Sequence, residues 1–310
     1  MNKVFIDGAE GTTGLRIHER LSGRGDIDLI KLPEALRKDP AARADALNSC
    51  DLAILCLPDD AAREAAALTT NPAVKIIDCS TAHRTAPGWT YGFAELSPER
   101  RAAIETAKRV ANPGCHASGF ISLVFPLVAA GMLPADALLT CHSVTGYSGG
   151  GKKMIAGYEA DGRSVLLDAP RQYGLTQKHK HLPEMKAVCG LETEPVFCPI
   201  VSDYYAGMMT TMPVFRSQLN PGFGMDDVKN VYAELYTGPI VRFCDGPDEE
   251  GFLSGGALSG LDTREIRVTG NEERMRLVSR FDNLGKGASG SAVQCMNIML
   301  GCCETEGLAI

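Results

Sequence analysis

Cys115 lies in the segment Asn112-Pro113-Gly114-Cys115-His116-Ala117-Ser118-Gly119. A short apolar run ends at Asn112, Pro113 and Gly114 force a sharp turn, and a helix-forming run follows. The pattern predicts a strand over residues 109–111 and a helix over 117–128 that opens at or just after Cys115. A thiol at a helix N-terminus has its thiolate stabilised by the helix dipole and by free backbone N–H groups, which is the setting of a nucleophile. The alternative is a buried core cysteine that happens to begin a helix, and the strand–turn–helix context weighs against it.

A nucleophilic thiol needs a group to handle its proton and donors to hold the oxyanion that forms on attack. Histidine is the side chain that titrates near neutral pH. His179 and His181, in the run HKHLPEM, are the candidates, and the sequence leaves the choice between them open. The surrounding Gln177-Lys178-His179-Lys180 also reads as a plain hydrophilic loop. His116 is adjacent to Cys115, but successive helical residues do not share a face, so it is not expected to be the base.

A second motif lies at the start of the chain. Gly8, Gly11 and Gly14 follow a short apolar strand and open a helix, giving G-x-x-G-x-x-G. Glycines there let the backbone turn tightly and approach a pyrophosphate, which the helix N-terminus then receives. An NAD site usually carries an acid about 20 residues on, at the end of the second strand. Here that strand ends Ile30-Lys31-Leu32-Pro33, with Glu34 reachable only by a register slip. Thr12, Thr13 and Arg16 suit an additional phosphate, so NADP is the expected cofactor. A thiol beside a nicotinamide implies aldehyde-level chemistry on an acyl group.

Other groups sit where ligands of open α/β sheets bind. Ser80, Thr81 and Arg84 follow a strand end. The fork of Arg84 suits an acyl phosphate or carboxylate, although a surface ion pair is its plain reading. Asn112, at the strand end before the thiol, is assigned with Arg84 to substrate. The run Ser143 to Lys152 is a strand entering a Gly/Ser loop, with Ser148 and Gly149 at its centre. Asn283-Leu284-Gly285-Lys286-Gly287 repeats the strand–glycine–helix logic near the C-terminus.

The elements that must position these groups fall into two sets. Strands over residues 4–6, 27–32, 52–57 and 75–79 alternate with helices over 15–21, 40–47 and 60–68, the last capped by Asp59. Such alternation predicts a parallel sheet covered by helices on both faces. Residues 138–281 carry long strand-like runs and one clear helix at 225–235, which predicts an α+β layer with a mixed sheet. The expected class is α/β: a Rossmann-like doubly wound parallel sheet plus an α+β catalytic and substrate domain. Residues 1–115 and 283–310 are assigned to the NADP-binding domain and 116–282 to the catalytic and dimerisation domain.

Composition excludes several classes. The chain has 310 residues, 31 basic against 38 acidic, and a net charge of −7. No basic field exists to hold a nucleic-acid backbone or an anionic membrane. The most apolar stretch, residues 120–133, is broken by Pro126 and Gly131 and is shorter than the ~18 residues of a membrane span. The start meets Asp7 too early for an export signal, so a cytoplasmic location is expected. The 11 cysteines are an odd number without CxxC spacing, so neither a disulfide framework nor a metal site is expected.

Six stretches carry a resemblance that runs in order through nearly the whole chain. They are GAEGTTG, the Cys-Leu-Pro at Cys56–Pro58, DCSTAHR from Asp78, NPGCHASG around Cys115, HKHLPEM from His179 and NLGKGASGSAVQCMN from Asn283. Together they resemble N-acetyl-gamma-glutamyl-phosphate reductase, most closely its shorter form, a relative of aspartate-semialdehyde dehydrogenase. The resemblance implies NADPH-dependent reduction of N-acetylglutamyl 5-phosphate to the 5-semialdehyde, with phosphate released, in arginine biosynthesis. An aspartate-semialdehyde dehydrogenase-like reductase of another acyl phosphate is the alternative. It also implies Cys115 as nucleophile and His181 as the acid–base histidine. Cys56, Pro58, Ser80, Asn283, Gly285 and Gly287 are implied to lie by the cofactor, and Ser148 and Gly149 near the substrate. The expected partner is a small acyl phosphate, bound by a homo-oligomer, dimer or tetramer. One departure is visible: the longer form has an Arg-Gly pair where this chain has Tyr205-Ala206-Gly207-Met208. Arg163, Arg171 and Lys178 are candidates for that arginine's role.

Overall fold

The computed structural model describes residues 1–246 and 249–310. In chain order the elements are β1 (Asn2–Asp7), α1 (Thr12–Leu21), β2 (Ile27–Ile30), α2 (Pro40–Ser49), β3 (Leu52–Leu55), α3 (Asp59–Leu68), β4 (Lys75–Asp78), β5 (Thr90–Tyr91), α4 (Pro98–Thr106) and β6 (Arg109–Ala111). There follow α5 (Cys115–Ala129), β7 (Thr140–Gly146), α6 (Gly151–Glu159), β8 (Arg171–Gln172), α7 (Leu182–Cys189), β9 (Val196–Ser202), β10 (Met208–Phe215) and α8 (Met225–Leu235). The chain closes with β11 (Val241–Phe243), β12 (Arg264–Gly270), β13 (Arg274–Phe281) and α9 (Gly290–Leu300).

Two compact units result. The first comprises Met1–Ala94, Pro98–Pro113 and Ala288–Leu308; the second comprises Glu95–Ser97, Gly114–Gly287 and Ala309–Ile310. Cys115 and residues 283–287 therefore lie with the second unit.

In the first unit, six parallel strands run in the order β2-β1-β3-β4-β6-β5. Side chains alternate across a strand, and the core follows that period of two. Val4, Ile6, Leu52, Ile54 and Ile77 face a layer that includes Ile17, Leu21, Ile104, Ala292 and Met296 from α1, α4 and α9. Phe5, Ala53, Leu55 and Ile76 face the opposite layer, with Ala46, Leu47 and Ala65 of α2 and α3. Helices thus cover both faces, which is why these strands are near-continuously apolar. The strand order reverses between β1 and β3, and ligands of open α/β sheets bind at such a switch point.

Among the described residues, the second unit is built on seven strands in the order β11-β12-β13-β10-β7-β9-β8. The sheet is mixed: β7 pairs β9 and β11 pairs β12 in parallel, and the other ladders are antiparallel. Helix α5 is buried along almost its whole length, from His116 to Leu127. A helix apolar all round is one enclosed on several sides, and α5 packs against β10 and β13 as well as α7 and α8.

Two local expectations need correction. Among the described residues, 138–281 hold three α-helices, α6, α7 and α8, where one was expected. Asp59 does not cap α3; its carboxylate accepts from the Thr81 amide at 3.0 Å and from the Thr81 hydroxyl. That pairing fixes the loop after β4 to the start of α3.

Candidate active site

Cys115 is the first residue of α5, preceded by Gly114 as N-cap with extended backbone angles (φ −76°, ψ 143°). The Gly114 carbonyl accepts from the Ser118 amide at 2.7 Å, and the Ser118 hydroxyl donates to the Cys115 carbonyl at 2.9 Å. The Gly114 amide, with no helical acceptor of its own, donates to the buried Glu184 carboxylate at 2.8 Å. Glu184 belongs to the first turn of α7, and His181 is that helix's N-cap. One bond therefore brings the thiol turn and the histidine turn together.

His181 is 4% exposed. Its backbone amide donates to Nδ1 of His179 at 3.3 Å, and the two rings lie 4.8 Å apart. An amide can only donate, so Nδ1 of His179 is an acceptor there and carries no proton. Burial lowers the pKa of His179, and the Lys180 charge lowers it further. His116 is buried between two hydroxyls: Nδ1 is 2.7 Å from Ser143 Oγ and Nε2 is 2.7 Å from Tyr173 Oη. Burial, with smaller contributions from the neighbouring His179 and Lys180, lowers its pKa to about 3. His116 is therefore neutral at neutral pH and unsuited to accept a proton there.

The C-terminal glycine segment reaches the thiol. A Cβ placed on Gly287 would stand 3.2 Å from Cys115 Cβ and 2.9 Å from the Asp282 carbonyl. Only a residue without a side chain fits this approach. Beneath the first turn of α5, the fully buried Arg264 donates to the Ser118 carbonyl at 2.9 Å and to its hydroxyl at 2.8 Å. Its guanidinium lies over the Phe281 ring at 3.7 Å.

In the first unit, Gly8, Gly11, Cys56 and Pro58 line a cleft of about 870 Å³ at the ends of β1, β2 and β3. Gly8 has φ +86°, and a Cβ on it would stand 2.4 Å from the Cys56 carbonyl. Glycine is required on both counts, and the cradle it leaves suits a close-lying pyrophosphate. Gly14 packs on the Gly8 carbonyl, where a Cβ would come to 2.4 Å. Thr12 and Thr13 begin α1 and Arg16 lies further along it, all outside the lining of this cleft. Its cations are Lys31, Arg37, Lys38 and Arg43. Arg43 pairs with Asp7 at 2.9 Å, and Arg37 pairs with Glu34 at 2.8 Å and with Glu10.

Residues 31–104 match the family model described as "Semialdehyde dehydrogenase, NAD binding domain", and residues 115–283 match "Semialdehyde dehydrogenase, dimerisation domain". The N-acetyl-gamma-glutamyl-phosphate reductase of Sinorhizobium fredii is 46% identical over 303 residues, which is 96% of this chain and 98% of that one. N-acetyl-gamma-glutamyl-phosphate reductase 2 of a Nostoc strain is 45% identical over 99% of both.

The chain belongs to the N-acetyl-gamma-glutamyl-phosphate reductase family.

Among solved structures, aspartate semialdehyde dehydrogenase II of Vibrio cholerae complexed with ASA matches with a TM-score of 0.71 at 16% identity, over 97% of this chain and 98% of that one. The Candida albicans aspartate semialdehyde dehydrogenase with NADP matches at 0.64 and 15%, over 97% and 98%. Both likenesses speak for the fold: a Rossmann-like sheet with a mixed-sheet partner. For this reductase family member the dinucleotide of the first unit is thus a nicotinamide one. No helix among the described residues is long and apolar enough to cross a membrane.

The remaining expected site residues fall as follows. Asn283 donates from Nδ2 to Ser148 Oγ at 3.0 Å and accepts at Oδ1 from the Gly207 amide at 2.8 Å, so its carboxamide ties three loops of the second unit. Gly149 lies against it, a Cβ there reaching 3.4 Å from Asn283 Nδ2. A Cβ on Gly285 would come 2.2 Å from the Leu261 carbonyl. In the first unit, Ser80 is buried and hydrogen-bonded to Asp78. Arg84 donates to the carbonyls of Asn112 at 3.0 Å and Cys79 at 3.2 Å. Asn112 donates from Nδ2 to the Ala288 carbonyl, while its buried Oδ1 has no partner among the described residues. Of the three substitutes for the missing arginine, Arg163 is held by Asp203 and Asp168, Arg171 lies over the Tyr158 ring at 5.8 Å, and Lys178 is exposed.

Sequence reasoning missed Tyr173, Ser143, Glu184, Lys31, Arg37 and Lys38. Glu184 had a signal: Pro183 and an acid open a helix that ends at Gly190, a start and stop of ordinary kind. Tyr173 and Ser143 lie 57 and 27 residues from His116, and nothing local announces either.

Proposed function

We propose that this chain reduces N-acetyl-L-glutamyl 5-phosphate to N-acetyl-L-glutamate 5-semialdehyde with NADPH, through a thioester on Cys115, as a step of arginine biosynthesis. The observation that carries the reaction is identity of 45–46% over nearly the full length of reductases so named. The observation that favours the thiol is its position as first residue of a buried helix, in a turn bonded to the His181 helix.

In this reading the second unit does the acyl chemistry. The Cys115 sulfur forms a bond to the acyl carbon, the carbonyl electron pair moves to oxygen, and its return expels phosphate. His181 takes the thiol proton and returns it as the aldehyde leaves. His179, its Nδ1 engaged by the His181 amide, orients that turn. Arg84, Asn112, Ser148 and Gly149 remain the candidates for substrate contact.

The first unit, with the glycine cradle at Gly8 and Gly11 and with Cys56 and Pro58, would hold the nicotinamide dinucleotide. Bound there, it supplies the hydride that takes the acyl group to the aldehyde level. Lys31 and Lys38 favour NADP, because they place positive charge at the end of β2, where an NAD site carries an acid, and Arg37 there holds the lining acids Glu34 and Glu10 in ion pairs. The substrate is a small soluble anion, and the assembly a homo-oligomer.

The test is substrate choice. Purified protein with NADPH should oxidise the nucleotide and release phosphate with N-acetylglutamyl phosphate, and should fail with aspartyl phosphate. Equal rates with both would defeat the assignment of substrate.

A further inference from the structure

Three hydrogen-bonded links join four side chains of the second unit: Thr210 Oγ1 to Ser143 Oγ at 3.0 Å, Ser143 Oγ to His116 Nδ1 at 2.7 Å, and His116 Nε2 to Tyr173 Oη at 2.7 Å. His116 is neutral, so it carries one ring hydrogen. The set then holds four hydrogens for three links, and one is left over. Where it resides follows from the tautomer of His116.

If the ring hydrogen is on Nδ1, it points at Ser143 and Tyr173 donates to Nε2. The spare hydrogen then belongs to Thr210 or Ser143. Both are 0% exposed, and Thr210 packs against Gly119 of α5, where a Cβ would stand 2.3 Å from its hydroxyl. A buried donor without an acceptor costs about 1–3 kcal/mol. If the hydrogen is on Nε2, each link is satisfied in one direction: Thr210 donates to Ser143, Ser143 to His116, and His116 to Tyr173. The spare hydrogen is then that of the Tyr173 hydroxyl, on the one member of the chain that is half-exposed.

We propose that Tyr173 is a catalytic hydrogen-bond donor, aimed by this directed chain at the oxygen that becomes negative when Cys115 attacks an acyl group. The proposal deepens the reading of Cys115 as an acyl-accepting thiol. Tyr173 stands at the thiol turn: its hydroxyl is bonded to His116, the residue after Cys115, and its ring lies 6.0 Å from that of His179. Burial raises the tyrosine's pKa. A phenol with a raised pKa keeps its proton and acts as a donor. During the step the S–C bond forms as the carbonyl pair moves onto oxygen; Tyr173 donates to that oxygen and retains its proton. The C–O bond to the leaving group then breaks and the carbonyl re-forms. A donor held in place by such a chain acts with little reorganisation. His116 is thereby a positioning residue: it fixes the direction of the chain and never titrates at working pH.

Two measurements test this, and neither uses the physiological substrate. The ¹⁵N shifts of His116 in the full-length protein should report hydrogen on Nε2; hydrogen on Nδ1 would overturn the proposal. Acylation of Cys115 by p-nitrophenyl acetate creates an oxyanion, whereas alkylation by iodoacetamide does not. Tyr173→Phe should slow acylation about 100-fold, as loss of one oxyanion donor does elsewhere, and slow alkylation far less. Equal slowing of both, or acylation at the wild-type rate, would remove Tyr173 from the chemistry. Failure of the native protein to turn over N-acetylglutamyl phosphate would instead remove the substrate assignment and leave the tautomer result standing.

Discussion

The Gly114 amide donates to the Glu184 carboxylate at 2.8 Å, joining the residue before the thiol to the helix capped by His181. Both groups are buried. Glu184→Ala would leave that amide without an acceptor, and a loss of about 1–3 kcal/mol in stability is expected. Glu184→Gln keeps an acceptor oxygen and should recover most of it. Urea unfolding of the two variants distinguishes them: equal stabilities would mean the bond contributes little.

Gly287 should tolerate no side chain. Its Cβ would press on Cys115 and on the Asp282 carbonyl. Gly287→Ala is expected to fold, with a native circular dichroism spectrum, and to lose about 100-fold in kcat through displacement of the sulfur. Steady-state kinetics at saturating nucleotide measure this, and a kcat near the native value would show that the thiol turn absorbs a methyl group.

Nucleotide preference should rest on the cations of the first unit's cleft. The double variant Lys31→Ala, Lys38→Ala is predicted to raise the KM for NADPH by about 10- to 100-fold, the effect of losing charge-assisted bonds to a phosphate. The KM for NADH should barely move. A parallel rise in both would mean that these lysines support the cleft without reading the extra phosphate.

Acid stability has a definable source in Glu265. It is buried on β12 and bonded to Arg242 at 2.8 Å and to Arg280 at 2.7 Å. Burial alone would raise its pKa, but the arginines outweigh burial and lower it to about 2. A depressed folded-state value means that stability is fully present above the unfolded-state pKa near 4.5 and is lost as pH falls toward about 2. The span corresponds to about 3 kcal/mol at neutral pH. Glu265→Gln should be less stable at pH 7 and show a flatter pH dependence between pH 4.5 and 2, read by thermal unfolding across that range.

The sequence made some of this visible for physical reasons. The Pro113-Gly114 turn cannot continue a strand, so a helix opening at or just after Cys115 is readable from the sequence, and α5 opens at Cys115 itself. The apolar strands of the first unit announced a sheet covered on both faces. Helix α6 escaped notice because it opens on a glycine run and is short. Asp59 carried the right residue type for a cap, yet Thr81, 22 residues away, holds it more closely. The partners of His116 escaped for the same reason: Ser143, Thr210 and Tyr173 belong to β7, β10 and the segment after β8, and only sheet pairing assembles them. The cations of the first unit's cleft likewise come from the end of β2 and the stretch after it, which the glycine motif does not mark.

Intact-mass analysis of the protein mixed with N-acetylglutamyl phosphate in the absence of nucleotide tests the central claim most directly. The account predicts one N-acetylglutamyl group bound as a thioester at Cys115, released phosphate in equal amount, and no adduct in Cys115→Ser. An acyl group found on another residue, or phosphate release by the serine variant at the native rate, would contradict it.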